Sequence, residues 1–525
     1  MDRSIDVRDG ISIAPDGGVY ALPSPVTRQQ EFAILKTKAE RHRDQGRQVV
    51  VVQGLGFVGS AVAAVIAGAT NIEGEPLYFV IGVDLPTSSG FWKVARLNSG
   101  IVPMGSPDPE LSRLTHRTVH ETGNLLATSS EKAYSLADII VVDVTLDIRD
   151  RTVFAPAEID IGLDSFKAAI QAIGRFMRPN ALVLVETTVP IGASENVVLP
   201  ILQKERSERG IIEPVHLAHS YERVMPGPNY LSSIQQNWRT FAAIDEASAA
   251  KARKFLTSFI DTDTYPLTQL EDIKASELAK LLENSYRAVN IALIYEWTLV
   301  AEQAGLNLFD VIDSIRVRKG THDNMRFPGF GVGGYCLTKD PLLAQWSTTN
   351  LLGSDIVLGM TLDAMEINYR MPLHAFDLLA ELSGDGVAGK AIAVCGVSYL
   401  AGVADTRNAP AELLVDALND AGANVVMHDP NVFVWPERPD VSLTQDLIEC
   451  LDGAQGIVFG VPHQEYLDLE PQILSSLASP PPFIVDAQNV ISDEKAQALH
   501  DAGCRLLGVG KGHWRRQGYQ FPNRP

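Results

Sequence analysis

Cysteine is scarce in this chain: Cys336, Cys395, Cys450 and Cys504 are the only four in 525 residues. So few, so widely spread, exclude a disulfide framework and lack the paired spacing of a zinc site, so no metal is expected. A reducing, cytoplasmic setting is the default expectation. Positive charge is also in deficit, with 44 Lys and Arg against 64 Asp and Glu and a formal net charge of −20. That argues against nucleic acid as a partner, though a locally basic pocket can still hold an anionic ligand. The N-terminal MDRSIDVRDG is polar, unlike a secretory leader. The stretch Val49–Ala69 carries no formal charge and has the length of a membrane span but is interrupted by Gly54, Gly56, Gly59 and Gly68. Strand, turn and helix account for it better, and no membrane association is expected.

What the chain has is apolar substance, 46% of its residues, enough for large cores and, at roughly 150 residues per domain, about three domains. Residues 1–47 read as an N-terminal extension of turn residues and a short charged helix, with no chemistry visible in it. Thereafter strands alternate with helices: 48–52, 78–84, 137–145 and 181–189 read as strands of a parallel sheet. Residues 273–304 lack Gly and Pro and carry Leu278, Leu281, Leu282, Ala288, Ile291 and Leu293 at helical spacing, which predicts one long helix. The strand pattern returns at 390–396, 424–429, 456–461 and 482–487, with a helix over 410–422. The expected fold is therefore α/β, with two Rossmann-like doubly wound domains joined by a long central helix. The expected division is 48–268 for a first Rossmann-like domain, 269–385 for a central helical, dimerising and cysteine-bearing region, and 386–525 for a second Rossmann-like domain.

Two segments carry chemistry. Gly54-Leu-Gly56-Phe57-Val58-Gly59 joins a β-branched strand to an Ala/Val-rich helix. Such glycines allow the tight turn, the approach of backbone to a pyrophosphate and close helix–strand packing. Asp84 closes the next strand, where a carboxylate accepts from the ribose hydroxyls of NAD and repels the 2′-phosphate of NADP. The other segment is Gly329-Phe330-Gly331-Val-Gly333-Gly334-Tyr-Cys336-Leu-Thr-Lys339-Asp340-Pro341. Its glycines leave backbone free to wrap a ligand. Cys336, near a helix start and a lysine, has the surroundings of a nucleophilic thiolate.

Together with Leu97–Gly100 and Pro103, Glu186-Thr-Thr188-Val-Pro190, Glu222-Arg223-Val, Lys280–Asn284 and Asp405-Thr-Arg407, these segments resemble the UDP-glucose/GDP-mannose dehydrogenase family over about Val49–Gly510. The resemblance implies an NAD enzyme that oxidises the C6 alcohol of a nucleotide sugar to a carboxylate by two hydride transfers, for polysaccharide precursors. It implies that Cys336 attacks the C6 aldehyde, that Lys280 and Asn284 face the developing oxyanion, and that Asp340, Thr188 and Glu222 manage the hydrolytic water. Cofactor contacts are expected from Gly54, Gly56, Phe57, Val58, Gly59, Asp84, Thr145, Glu186 and Lys339. Substrate contacts are expected from Glu222, Arg223, Lys280, Asn284, Phe330, Gly331, Gly333, Gly334, Tyr399 and Arg407.

The chain also departs from the pattern. Leu400 stands where the family usually has a lysine, and Asp143-Val-Thr145-Leu where most members read Val-Pro-Thr-Pro. The valine in Gly331-Val-Gly-Gly resembles the UDP-N-acetylhexosamine branch more than the UDP-glucose branch. One of Arg316, Arg318 and Lys319 stands where the family sends an arginine into a partner subunit, and a homodimer built on the long helix is expected. Two other readings stay open: a single-step hydroxyacid-type dehydrogenase with a structural Cys336, and a non-catalytic NAD-binding protein.

Overall fold

The computed structural model of the chain describes residues 10–225 and 227–522. They fall into two compact units. The first comprises the chain up to Arg149, Asp160–Leu281 and Trp346–Ile356, and the second comprises Asp150–Ile159, Leu282–Gln345 and the chain from Val357 on. The central region expected over 269–385 is thus divided between the units. The division falls inside the long helix, which runs Ile273–Gln303.

The N-terminal extension is more ordered than its composition suggests. Strands β1 (Ile11–Ile13) and β2 (Val19–Ala21) form an antiparallel hairpin. Helix α1 (Pro25–Asp44) follows, its Ser24 cap accepting from Thr27 N and its Pro25 in the first turn. Strands β3 (Gln48–Gln53) and β4 (Tyr78–Val83) flank α2 (Phe57–Gly68), and α3 (Phe91–Asn98) leads on to β5 (Leu125–Thr128). Then come β6 (Ile139–Val142), α4 (Leu163–Phe176), β7 (Leu182–Val185), β8 (His216–His219), β9 (Thr240–Ala243) and β10 (Thr268–Gln269). The eight strands β3 to β10 make one sheet in the order β10-β9-β8-β7-β6-β3-β4-β5, parallel except where β8 meets β9.

Valines fill β3 because both faces of this sheet are covered, and Val49–Val52 are fully buried. Helix α2 is built of Ala, Val and Gly for the same reason: a Cβ on Gly59 would stand 1.9 Å from Gly54 O. The helix therefore crosses the strand end at a distance only glycine permits.

In the second unit a six-stranded, all-parallel sheet has the order β13-β12-β11-β14-β15-β16. Its members are β11 (Ala391–Cys395), β12 (Asn424–His428), β13 (Leu443–Thr444), β14 (Gly456–Phe459), β15 (Phe483–Asp486) and β16 (Arg505–Gly508). Helix α7 (Ala411–Asp420) crosses from β11 to β12; we number the long helix Ile273–Gln303 α5, and Asp340–Asn350 is α6. The repeated pattern read from the sequence extends to detail. Asp84, after β4, accepts from Leu55 N at 3.0 Å. Asp429, after β12, accepts from Val397 N and Ser398 N at 2.9 Å each. In both halves the acid closing the second strand ties down the turn that follows the first.

Candidate active site

In the first unit the turn after β3 opens onto a cavity of about 890 Å³. Its walls include Gly54, Gly56, Asp84 and Thr145 from the expected cofactor set. The fit to a dinucleotide rests on backbone. Gly54 has φ +91°, and a Cβ there would meet Asp143 O at 2.4 Å, whereas nothing lies within 4 Å of where a Gly56 Cβ would be. The turn is thus tight behind and open in front, with the free N–H groups of α2 beyond it. Phe57, Val58 and Gly59 are not wall residues; they open α2, and Phe57 O accepts from the Tyr230 hydroxyl.

Asp84 is more engaged than the sequence suggests. Besides Leu55 N it accepts from Leu85 N at 2.8 Å and pairs with Lys93 Nζ at 3.2 Å. Lys93, nine residues on and in α3, lines the same cavity. It offsets part of the negative charge that would meet a 2′-phosphate.

Glu186 stands in a buried charged cluster instead of on the cavity wall. Its carboxylate pairs with Arg239, both almost fully buried. Asp143, on the cavity wall, turns its shielded Oδ2 away from solvent. Burial and the neighbouring carboxylates of Glu186 and Glu222 hold its carboxyl well above the usual range. Next to this cluster Lys280 Nζ donates to Glu222 O at 2.8 Å, lies 3.9 Å from Glu222 Oε1, and sits 5.5 Å from the Tyr221 ring centroid. Three carboxyls, Asp143, Glu186 and Glu222, and two cations, Arg239 and Lys280, thus stand close together in the first unit. Thr188 is buried in the same unit. Arg223 donates to Trp238 O and to the Tyr221 hydroxyl. Sequence reasoning missed Arg239, Asp143 and Lys93; for Arg239 no local signal exists, since its partner lies 53 residues away.

The second unit holds the cysteine segment. Cys336 O accepts from Lys339 N at 3.2 Å and Asp340 N at 2.9 Å, a turn that leads straight into α6. Asp340 is fully buried; its Oδ2 accepts from Asn284 Nδ2 at 2.6 Å and its Oδ1 from Lys339 Nζ at 2.7 Å. Lys339 is thus committed to Asp340 and lies over the Tyr335 ring at 4.7 Å. Arg151 and Arg407 approach the same ring at 5.1 and 5.4 Å. The thiol follows a tyrosine ringed by cations. Arg407 itself is a bidentate partner of Asp405, at 2.9 and 2.6 Å. Burial lowers its pKa, but Asp405, with smaller contributions from Tyr399 and Cys336, more than reverses this and raises it.

The glycines of this segment also have a reason in packing. A Cβ on Gly331 would meet Pro410 at 2.8 Å, one on Gly333 would meet Tyr399 Cβ at 2.6 Å, and one on Gly329 would meet Gln488 Oε1 at 2.5 Å. Gly334 has φ +82° and lies against the Tyr399 ring. The backbone is pressed onto the second sheet's turn, and Phe330, buried, is held by a 2.8 Å bond from its N–H to Gln488 Oε1. Leu400, beside Tyr399, is exposed. Cys395, Cys450 and Cys504 are buried; Cys395 and Cys450 are hydrogen-bonded neighbours, and burial pushes the Cys504 thiol up to about 12. Among the described residues no cluster of three or more His, Cys, Asp or Glu is placed to hold a metal, and no helix is long and apolar enough to cross a membrane.

Comparison with known proteins gives three family matches in chain order. Residues 48–258 match the NAD binding domain of the UDP-glucose/GDP-mannose dehydrogenase family, 274–370 its central domain and 393–493 its UDP binding domain. The UDP-N-acetyl-D-mannosamine dehydrogenase of Methanocaldococcus jannaschii is 28% identical over 463 residues, 87% of this chain and 96% of that protein. The solved structure of the Pyrococcus horikoshii UDP-D-ManNAc dehydrogenase matches with a TM-score of 0.75 and 27% identity, covering 89% of this chain and all of that one. An NDP-N-acetyl-D-galactosaminuronic acid dehydrogenase from Methanosarcina mazei matches with a TM-score of 0.74 and 27% identity over 91% and 99%.

Proposed function

The chain belongs to the UDP-glucose/GDP-mannose dehydrogenase family, and from that premise we propose that it is an NAD-dependent nucleotide-sugar 6-dehydrogenase. Its substrate is a UDP-sugar, with a UDP-N-acetylhexosamine favoured over UDP-glucose, and its product a uronic acid of the kind used in polysaccharide precursors. The Gly331-Val-Gly-Gly run and the named activities of the relatives above support the hexosamine branch.

The observation that carries the mechanism is the buried set in which Asn284 of α5 meets Asp340 and Lys339, the latter two just after Cys336 in the chain. NAD, when bound, supplies the hydride acceptor for both oxidations, and Gly54, Gly56, Asp84 and Thr145 are the residues that hold it; NAD is preferred to NADP because Asp84 stands at the ribose. Lys280 and Asn284, four residues apart on α5, share one helix face. They offer an ammonium and an amide to the C6 oxygen as negative charge grows on it. The Cys336 sulfur adds to the C6 aldehyde and gives a thiohemiacetal, whose oxidation leaves a thioester. Asp340 and Thr188 position the water that hydrolyses it, and Glu222 takes a proton. Arg223, Phe330, Gly331, Gly333, Gly334, Tyr399 and Arg407 grip the nucleotide sugar. The exposed apolar stripe on α5 supports a homodimer.

The test is the Cys336→Ser full-length protein. It should bind NAD and the nucleotide sugar like the parent, while net formation of acid collapses, because a serine hydroxyl is far less ionised than a thiol near neutral pH. The parent should release two NADH per sugar. A folded Cys336→Ser protein still making two NADH per sugar at the parent rate would refute the thioester route.

A further inference from the structure

The segment ahead of residue 48 lies outside the stretch that matches the family's NAD binding domain, yet it bears on the dinucleotide cavity in two ways. The hairpin does so indirectly, through Ser12, which is fully buried. Its Oγ donates to Ser88 O at 2.7 Å and accepts from Trp92 N at 3.0 Å. Asp16 pairs with Arg96. These contacts grip the loop that follows Asp84 and the helix α3 that carries Lys93. Helix α1 does so directly: Pro25, Arg28 and Gln29, all in its first turn or just beyond, line the same cavity as Gly54, Gly56 and Asp84.

Arg28 is the telling residue. It is half-buried, and its Nε is shielded from solvent and finds no acceptor among the described residues. A shielded guanidinium N–H without an acceptor is costly unless a ligand supplies one. Core packing does not explain its position, because the buried residues of α1 are Leu35, Ala39 and His42, two to four turns further on. Nor does Asp84 serve it, since that carboxylate is occupied by Leu55 N, Leu85 N and Lys93. With Lys93 and Lys132 on the same walls, Arg28 adds a third cation to a cavity whose glycine turn already suits a pyrophosphate.

We propose that the N-terminal extension is a built-in wall of the cofactor site, and that Arg28 donates to the adenosine-diphosphate half of the dinucleotide. The proposal rests on the dinucleotide reading given above and adds to it a specificity residue from outside the shared domain.

The test is calorimetric titration of the full-length parent, Arg28→Ala and Arg28→Lys with NAD, with ADP-ribose and with UDP. For Arg28→Ala the dissociation constants for NAD and for ADP-ribose should both rise about tenfold, the size of one charge-assisted hydrogen bond. UDP binding should stay within twofold, and Arg28→Lys should recover part of the loss. Unchanged ADP-ribose binding in Arg28→Ala overturns the proposal, and so does an equal loss for ADP-ribose and UDP, which marks general damage to the fold. A parent that binds UDP but neither NAD nor ADP-ribose overturns the dinucleotide reading itself.

Discussion

Replacing His219 with glutamine is expected to make the first unit gain stability relative to the parent as the pH falls from 6.5 to 4.5. His219 is buried at the end of β8, its Nδ1 2.8 Å from Ser276 Oγ. Burial holds its imidazole down to about 3 from the ordinary 6.5. Glu277, the residue after Ser276, is buried as well. Its Oε1 accepts from Ser194 N at 2.8 Å, but burial still pushes its carboxyl up to about 7 from 4.5. The two groups act with opposite sign. For the depressed histidine, stability is complete above 6.5 and drains as the pH falls toward 3, because the unfolded chain takes a proton the native state refuses. For the raised carboxyl, stability is complete below 4.5 and is lost as the pH climbs to 7, because the native state keeps a proton the unfolded chain releases. Each slope is about 1.4 kcal/mol per pH unit, so between 6.5 and 4.5 the two contributions offset each other in the parent. Without the histidine the Glu277 contribution is no longer offset by it. Over those two pH units the variant should therefore gain about 3 kcal/mol relative to the parent. Urea unfolding across this range, with amide exchange of peptides from β8 and α5 to locate the change, reads the difference. A repacking loss in the variant shifts every pH alike and leaves the difference untouched. A parent–variant difference that stays constant with pH refutes the reasoning, and so does one that runs the other way.

Two further outcomes follow from the site and from α5. Lys280→Ala should lower kcat on the order of a hundredfold while KM changes by only a few-fold, as expected of a group whose main partner is charge developed in the transition state; a raised KM with kcat intact would make Lys280 a binding residue. Leu282, Tyr286, Leu293, Trp297 and Val300 are exposed and fall on one stripe of α5; light scattering should find a dimer that Trp297→Glu dissociates, and a monomeric parent at micromolar concentration would count against the stripe as an interface.

The sequence made legible whatever depends on neighbours along the chain. The glycine turn, the acid closing the next strand, the long helix without Gly or Pro and the cysteine ahead of a helix start are all local patterns. Their elements stand in the structure within a few residues of their expected ends. The expected strand 137–145 is longer than the observed Ile139–Val142, although the flanking Asp138 and Asp143 still donate their backbone N–H groups to Val49 O and Gln53 O of β3 at 2.8 Å each; their side chains serve elsewhere, Asp138 accepting from Val49 N at 2.9 Å and Asp143 in the buried cluster. The hairpin of the extension escaped notice because three-residue strands show no alternation to read.

What was illegible is the set of partners that meet only in the folded chain, and the glycine-rich segment shows why this matters for function. Read from the sequence, its glycines promise room for a ligand. In the structure Gly329, Gly331 and Gly333 are filled against by Gln488, Pro410 and Tyr399, so their smallness serves contact between protein and protein as well. The pressure of that contact fixes the backbone just ahead of Cys336 and holds Tyr335 where Arg151, Lys339 and Arg407 converge on its ring. A nucleophile gains from a backbone that cannot drift, because small misplacements of a reacting atom cost large factors in rate. The same reasoning applies at the other end of the molecule's chemistry. Asp84 is held by two backbone N–H groups and a lysine before any ligand arrives, and the loop beyond it is gripped by Ser12 from a segment the family's shared domain does not contain. In both places the residues proposed to do chemistry lie in short, local, readable patterns, while the residues that hold them still come from far along the chain.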